Sequence, residues 1–291
     1  MISFDTVLTH PGGAHKDEFL ACSVLLAVRP APIVRREPTA DDLANAAVCV
    51  VDVGHEHAPA LNNFDHHQLA DDQPPTCSLS LVLQHLGLYE DARRFCEWLE
   101  PAEWFDCRGP TATARWLGVE RDVLAKLNSP LDVTLLRRFS QATRLEPGQP
   151  LWEIMRMIGE DLITYVKNLR ERLDFIGRHA ETWEIASPAG PATIFFLPRT
   201  DPLPDDPAMG IERYLESAGL ATRVIGLVYP DRRSAGYGLS RFRDHPGLDF
   251  TRLRACPDVH FAHARGFVAK TSASEVTRLR ELVAQARVPV S

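Results

Sequence analysis

No two cysteines in this chain stand close enough to form a Cys-x-x-Cys pair. The six are Cys22, Cys49, Cys77, Cys96, Cys107 and Cys256, and no two lie closer than ten residues. That spacing excludes a zinc ribbon and argues against a disulfide framework. They read as reduced, mostly buried thiols. Long apolar runs are also missing. The longest, Leu20 to Val28, falls well short of the roughly 20 residues that a membrane-spanning helix needs. Met1 to Glu18 carries proline, glycine, histidine and acids, which is not the pattern of a signal peptide. The expectation is a cytoplasmic protein with no membrane partner. A basic excess is absent as well: 32 Lys and Arg face 39 Asp and Glu, a formal charge of −7. Proteins that hold long nucleic acid by its backbone usually show a basic surface. The balance therefore favours short or small phosphorylated substrates, although bound divalent cations reverse the sign of the field at a site. Neither an internal repeat nor a low-complexity tract is visible.

What the sequence does hold is an ordinary soluble composition, 45% hydrophobic and 24% charged, over 291 residues, enough for two cores. Phe4 to Thr9 reads as a strand ending at the Pro11-Gly12-Gly13 turn. A helix opens at Asp17, with Phe19, Leu20, Val24 and Leu25 at helical spacing. Ile33-Val34 is a second strand, Asp41 to Ala46 a short helix, and Val48 to Val53 a buried parallel strand. This alternation predicts an α/β domain with a parallel sheet. Helical pattern dominates from Ser78 to Lys126, and Leu151 to His179 is one long amphipathic helix. Strands return at Thr193–Leu197, Val224–Tyr229 and Gly236–Ser240, with helices at Pro207–Ser217 and Ser274–Ala286 and a loop over Pro198–Pro207. The expected organisation is a first domain over 1–150, a connecting helix over 151–180 and a smaller α/β domain over 181–291. Ser272-x-x-Glu275 reads as a capping box opening the last helix.

Histidines cluster. Six of eleven lie in the first 67 residues: His10, His15, His55, His57, His66 and His67. They sit beside acids at predicted strand ends, where open α/β sheets bind ligands. Four segments stand out: Thr9-His10 to His15-Lys16-Asp17-Glu18, Val50-Val51-Asp52-Val53-Gly54, Asp65-His66-His67-Gln68 and Trp104-Phe105-Asp106-Cys107. A histidine beside a glycine turn, or an aspartate closing a strand, is unremarkable by itself. Together and in this order they form a donor set of imidazoles and carboxylates, which suits Mn²⁺, Fe²⁺ or Zn²⁺. An acid at the end of a buried strand also needs a partner, since burial of an unpaired charge costs several kcal/mol. His55 and His57, in Gly54-His55-Glu56-His57, read as a solvated loop.

These segments resemble the melanocyte-proliferating-gene exonuclease family, within the DHH phosphoesterase superfamily. The resemblance rests on Thr9-His10-x4-His15-x-Asp17-Glu18, Val51-Asp52-Val53-Gly54 and Phe64-Asp65-His66-His67-Gln68, with Phe261-Ala262-His263-Ala264-Arg265-Gly266-Phe267-Val268 similar to the family's closing motif. It implies a DHH-type catalytic domain over 1–150, a substrate-binding domain over 181–291 and two Mn²⁺ ions, with Mg²⁺ or another divalent cation as the alternative. His10 and His15 would hold one ion, Asp17, His66 and Asp106 the other, and Asp52 would bridge them. Asp52 and His67 would be catalytic, with His67 facing the scissile phosphate. The implied substrate contacts are His67, His263, Arg265 and Gly266, and Arg241, Arg243 and Lys270 are further cationic candidates. Arg241 and Arg243 alternate on a predicted strand and so share a face. The chain departs from the family at Trp104 to Arg108, where an acidic run followed by Asn-Gly is usual, and at Ala269-Lys270, where a glycine pair is expected.

The implied activity is a 3′–5′ exonuclease or phosphodiesterase acting on short RNA or DNA by two-metal hydrolysis. The acidic balance keeps a second reading open, hydrolysis of a small phosphorylated metabolite or phosphoanhydride. A third is a metal-binding interaction protein without turnover. The sequence leaves the oligomeric state open, a homodimer included.

Overall fold

A computed structural model describes residues 2–70, 72–126 and 129–289. The chain divides into two compact units, Met1–Asn168 and Leu169–Ser291, each a mixed α/β structure with its own six-stranded sheet. In the first unit the order is β1 (Thr6–Thr9), α1 (Lys16–Val28), β2 (Ile33–Arg35), α2 (Ala40–Ala44), β3 (Val48–Val51), β4 (His57–Ala58), β5 (Asn63–Phe64), α3 (Ser78–His85), α4 (Tyr89–Phe95), α5 (Leu99–Leu117), α6 (Arg121–Lys126), α7 (Pro130–Gln141) and β6 (Arg144–Leu145). A long helix, α8 (Pro150–His179), follows and runs across the boundary between the units.

The first sheet has the order β4-β5-β3-β1-β2-β6. Its four inner strands, β5, β3, β1 and β2, are parallel. The chain leaves β1 to one side for β2 and returns to the other side for β3, so the strand order reverses between β1 and β3. Open α/β sheets bind ligands at such a reversal, beyond the carboxyl ends of the strands. The register then decides what collects there. Thr9 pairs beside Val51, and Val51 beside Phe64. The next residues, His10, Asp52 and Asp65, therefore leave the sheet in one row.

α1 buries nearly its whole circumference: Phe19, Ala21, Cys22, Val24, Leu25 and Leu26 are all enclosed. Its amphipathic pattern is weak because there is little solvent for a polar face to meet. β3 stops two residues before the apolar run does, since Asp52 turns into the left-handed region with φ 60°. α7 and β6 were not legible in the helical pattern, although Ser129-Pro130 is an N-cap signal. The Ser129 hydroxyl accepts the Leu131 N–H at 3.1 Å, and Pro130 occupies the first turn. α5 combines two helical pieces across a kink at Gly109, just before Pro110.

The second unit contains β7 (Glu181–Ile185), β8 (Ala192–Phe196), α9 (Ile211–Ser217), β9 (Val224–Pro230), β10 (Tyr237–Arg241), β11 (Val259–Ala262), β12 (Val268–Thr271) and α10 (Val276–Gln285), with strand order β11-β12-β10-β9-β8-β7. Only β8 and β9 run parallel within it. One face packs Trp183, Phe196, Val228, Leu239 and Ala269 against Leu279, Leu282 and Val283 of α10. The expected capping box is corrected here. α10 starts at Val276 with Glu275 as its cap and no side-chain cap bond. Ser272 instead donates from both its N–H and its hydroxyl to the Asp258 carbonyl, which removes it from the helix end.

α8 and α1 meet at backbone distance. A Cβ placed on Gly159 would fall 2.0 Å from the Ser23 carbonyl oxygen. In a free helix, Gly to Ala gains about 1 kcal/mol. Gly159→Ala is expected to reverse that sign and lower the urea unfolding midpoint, since overpacking costs about 1–3 kcal/mol or more. An unchanged or raised midpoint would remove this close packing.

Candidate metal centre

Each donor reaches the centre from a fixed element. His10 follows β1, Asp17 and Glu18 form the first turn of α1, Asp52 follows β3, and Asp65, His66 and His67 follow β5. Ser78 begins α3, and Asp106 and Cys107 lie on α5 just before its kink. Glu103, one turn earlier on α5, is completely buried and fixes that helix. It accepts from Ser80 at 2.6 Å, Tyr89 at 2.7 Å and Arg93 at 2.8 Å.

Asp52 is the centre of the cluster. Its Oδ2 lies 3.5 Å from His10 Nε2, and its Oδ1 lies 3.1 Å from His66 Nε2. The Ser78 hydroxyl donates to Oδ1 at 2.8 Å and fixes the carboxylate plane. His66 Nε2 also lies 2.9 Å from Asp106 Oδ2, and His15 Nδ1 lies 3.6 Å from Asp106 Oδ1. Donor atoms converge in overlapping groups: His10, His15, Glu18 and Asp52; His15, Asp17 and Asp106; His66, Asp106 and Cys107; Asp52, Asp65, His66 and His67. All six expected ligands, His10, His15, Asp17, Asp52, His66 and Asp106, fall within these groups.

The donor set fits a divalent cation because its polar atoms are under-satisfied. Among the described residues, both oxygens of Asp17, Oδ2 of Asp52 and Oδ2 of Asp106 are buried without a hydrogen bond. The short His66–Asp106 approach does not align as one. Burial pushes the Asp17 carboxyl up, and repulsion from Asp52 and Asp106 adds to it. Burial acts on Asp52 the same way, but His10 and His66 outweigh it and hold that carboxyl below the usual range. Asp52 and Glu18 raise His10 to about 10. Burial disfavours the charged form of His66, yet Asp106 and Asp52 raise it to about 12. Buried acids held apart only by protons on imidazoles are a site where a cation can take the place of those protons.

Three neighbours, Glu18, Arg35 and Asp65, were given no role from sequence. Glu18 is fully buried, touches His10 Nε2 through Oε2, and accepts from Arg35 at 2.9 Å through Oε1. The same Arg35 guanidinium donates to the carbonyls of Gly12, Gly13 and Phe139, tying the His10–His15 loop to α7. Asp65 spends its oxygens on the turn. Oδ1 accepts the His67 N–H at 3.0 Å and lies 2.7 Å from His67 Nδ1, while Oδ2 accepts the His55 N–H at 2.6 Å. His67 is thereby oriented with Nε2 free and its ring half exposed. Glu18 adjoins Asp17 in the sequence, so its burial was the one signal available, and only the tertiary structure carries it.

The second-unit candidates are described within that unit. Arg241 Nε donates to the Leu248 carbonyl at 2.6 Å, and Lys270 pairs with Asp231 at 2.7 Å. His263 Nδ1 accepts the Arg265 N–H at 3.1 Å, and Arg265 is exposed. Gly266 has φ 70°, and a Cβ there would meet Asp249 at 2.1 Å, so the turn itself demands glycine. Arg241 and Arg243 do not alternate on a strand. β10 ends at Arg241, and Arg243 turns left-handed to pair with Glu212 and Glu216. Lys270 lines a cavity of about 360 Å³ with Tyr229, Asp231, Arg232 and Arg233.

Residues 6–87 match the MYG1 exonuclease family model, described as Uncharacterised protein family (UPF0160). This stretch is similar to that family's sequences. A stretch of 64 residues, 21% of this chain, is 47% identical to the protein named MYG1 exonuclease from Homo sapiens. The matched part spans only 16% of that relative's length. The stretch 6–87 includes His10, His15, Asp17, Asp52, His66 and His67, whereas Asp106 lies outside it and joins them through the fold. Among solved structures, the pGpG-specific phosphodiesterase PggH from Vibrio cholerae aligns over 97% of this chain and 98% of its own at 13% identity, with a TM-score of 0.30. So loose a superposition says nothing about chemistry.

The raised groups set the direction of a pH test. A group that binds its proton more tightly folded than unfolded loses its stabilising contribution as pH climbs from the unfolded value to the folded one. For His10 that window runs from about 6.5 to about 10; His66 and Asp17 shift in the same sense. In EDTA the melting temperature is expected to fall between pH 6.5 and 9. Cation binding displaces these protons, so the increment on adding Mn²⁺ is expected to grow over the same range. Paired thermal melts check both slopes, and an increment independent of pH would dissociate the cation from these imidazoles.

Proposed function

We propose that this protein is a divalent-metal-dependent phosphoesterase of the DHH type, acting as an exonuclease or phosphodiesterase on short RNA or DNA. The observation that carries this reading is the Asp52 carboxylate, with one oxygen toward His10 and the other toward His66. A carboxylate so placed can serve two cation positions at once. His10 and His15 would hold the first, and Asp17, His66 and Asp106 the second, with Asp52 between. Imidazole and carboxylate donors suit Mn²⁺ well. Two such cations, when bound, supply Lewis acidity toward a phosphoryl oxygen and acidify a water nucleophile.

The chain's own residues do the rest. Ser78 holds the Asp52 carboxylate against rotation. Asp65 orients His67 through Nδ1, so His67 Nε2 can donate a hydrogen bond or a proton to the leaving oxygen. Arg35, through Glu18, braces the loop that carries His10 and His15. In this reading residues 1–150 are catalytic, 151–180 connect, and 181–291 bind substrate through Arg241, His263, Arg265, Gly266 and Lys270. A cytoplasmic location accords with the sequence, and no helix among the described residues is long and apolar enough to cross a membrane. The formal charge of −7 favours a second substrate class, a small phosphorylated metabolite or phosphoanhydride.

The test is turnover of a short 5′-labelled RNA, a matched DNA and pyrophosphate, each with Mn²⁺ and with EDTA. Stepwise, Mn²⁺-dependent shortening is expected for the oligonucleotides. Phosphate release from pyrophosphate alone would select the second class. Asp52→Asn keeps a residue that tolerates the left-handed backbone, so the fold should survive. Activity should fall by more than about 100-fold, beyond the usual cost of losing an outer-sphere partner. Full turnover by that variant would end the assignment of Asp52.

A further inference from the structure

Cys107 stands where the chain departs from its family, and the mechanism above does not use it. Its Sγ lies 3.8 Å from His66 Nδ1 and 3.4 Å from the Thr76 carbonyl oxygen. The other ring nitrogen, Nε2, lies 3.1 Å from Asp52 Oδ1 and 2.9 Å from Asp106 Oδ2. We infer that Cys107 is a positioning residue for the metal centre, holding His66 in the tautomer that presents Nε2 to the cation. The inference rests on the metal centre proposed above.

Hydrogen bookkeeping carries it. A carbonyl oxygen only accepts, so the thiol hydrogen belongs to Thr76. The sulfur lone pairs are then left for His66 Nδ1, which must carry the hydrogen of that contact. With Nδ1–H directed to sulfur, the lone pair at Nε2 would be the one offered to a cation held with Asp52 and Asp106. Asp106 and Cys107 are consecutive on α5, so a single helical turn grips both ends of the imidazole. Metal-bound histidines commonly donate their second nitrogen to a carboxylate or carbonyl. Here a thiol fills that position, with the sulfur 3.8 Å from Nδ1. In this assignment Cys107 acts through His66, although its Sγ also falls in one donor group with His66 and Asp106.

The test uses the full chain loaded with Co²⁺ and reads binding and spectra rather than turnover. Calorimetric titration should give Cys107→Ala an affinity about 10–100-fold weaker than the wild type, the usual cost of an outer-sphere partner. Cys107→Ser, which keeps a donor and an acceptor, should recover most of it. The Co²⁺ absorption of the wild type should lack a thiolate charge-transfer band. An alanine variant that binds Co²⁺ as the wild type does would overturn the positioning role alone. A charge-transfer band lost in Cys107→Ser would overturn it by making the sulfur a ligand. A wild type that binds no Co²⁺ would overturn both this inference and the metal centre beneath it.

Discussion

Three carboxylates, those of Asp17, Asp52 and Asp106, share a space from which water is largely excluded, and mutual repulsion is the constraint on everything around them. Both Asp17 oxygens are buried without a hydrogen bond, and an oxygen of each of the other two is as well. A folded chain tolerates such a cluster only if protons or cations neutralise it. Without metal, imidazoles do so, and His10 and His66 hold their protons far above their ordinary range. The same arrangement is poised to exchange those protons for divalent ions. Burial, protonation and metal affinity are thus one property seen from three sides.

The surrounding structure stiffens this cluster. Arg35 is buried against Glu18 and three backbone carbonyls. Removing either member of such a buried pair strands a charge, at about 3–5 kcal/mol. On the opposite side, Glu103 gathers Ser80, Tyr89 and Arg93, which sets the position of α5 and hence of Asp106. Asp52 itself sits in a left-handed conformation that a residue other than glycine adopts at a cost of about 1–3 kcal/mol. That turn ends β3, and the carboxylate stands between His10 and His66.

Much of the first unit was legible because strand ends announce themselves. The apolar run from Val48 up to Asp52 gives both the strand and the donor that leaves it, whereas Asp65-His66-His67 was legible as a motif without its strand. What periodicity could not give is which of two adjacent acids turns inward. Asp17 and Glu18 both do, because α1 is enclosed on nearly every side. Nor could it distinguish a ligand from its support. Asp65 sits in the motif beside two histidines, yet both its oxygens are committed to His55 and His67. The two-residue strands β4, β5 and β6 carry no periodicity at all. They exist only because neighbouring strands offer them hydrogen bonds. The capping box at Ser272 failed for the converse reason: the pattern was present, but the Asp258 carbonyl drew the serine away.

The net charge of the chain is a poor guide to what the centre attracts. Long-range attraction by the acidic surface is screened within about 8 Å at physiological ionic strength, whereas a substrate phosphate meets the centre itself. There Glu18 is already balanced by Arg35, and in the proposed function divalent cations would face the carboxylates of Asp17, Asp52, Asp65 and Asp106. A centre loaded as proposed would offer Lewis-acid cations to a phosphate on a chain whose formal charge is −7. In that reading electrostatics would favour short substrates before any base is read, which gives the oligonucleotide and small-phosphate readings a common physical cause.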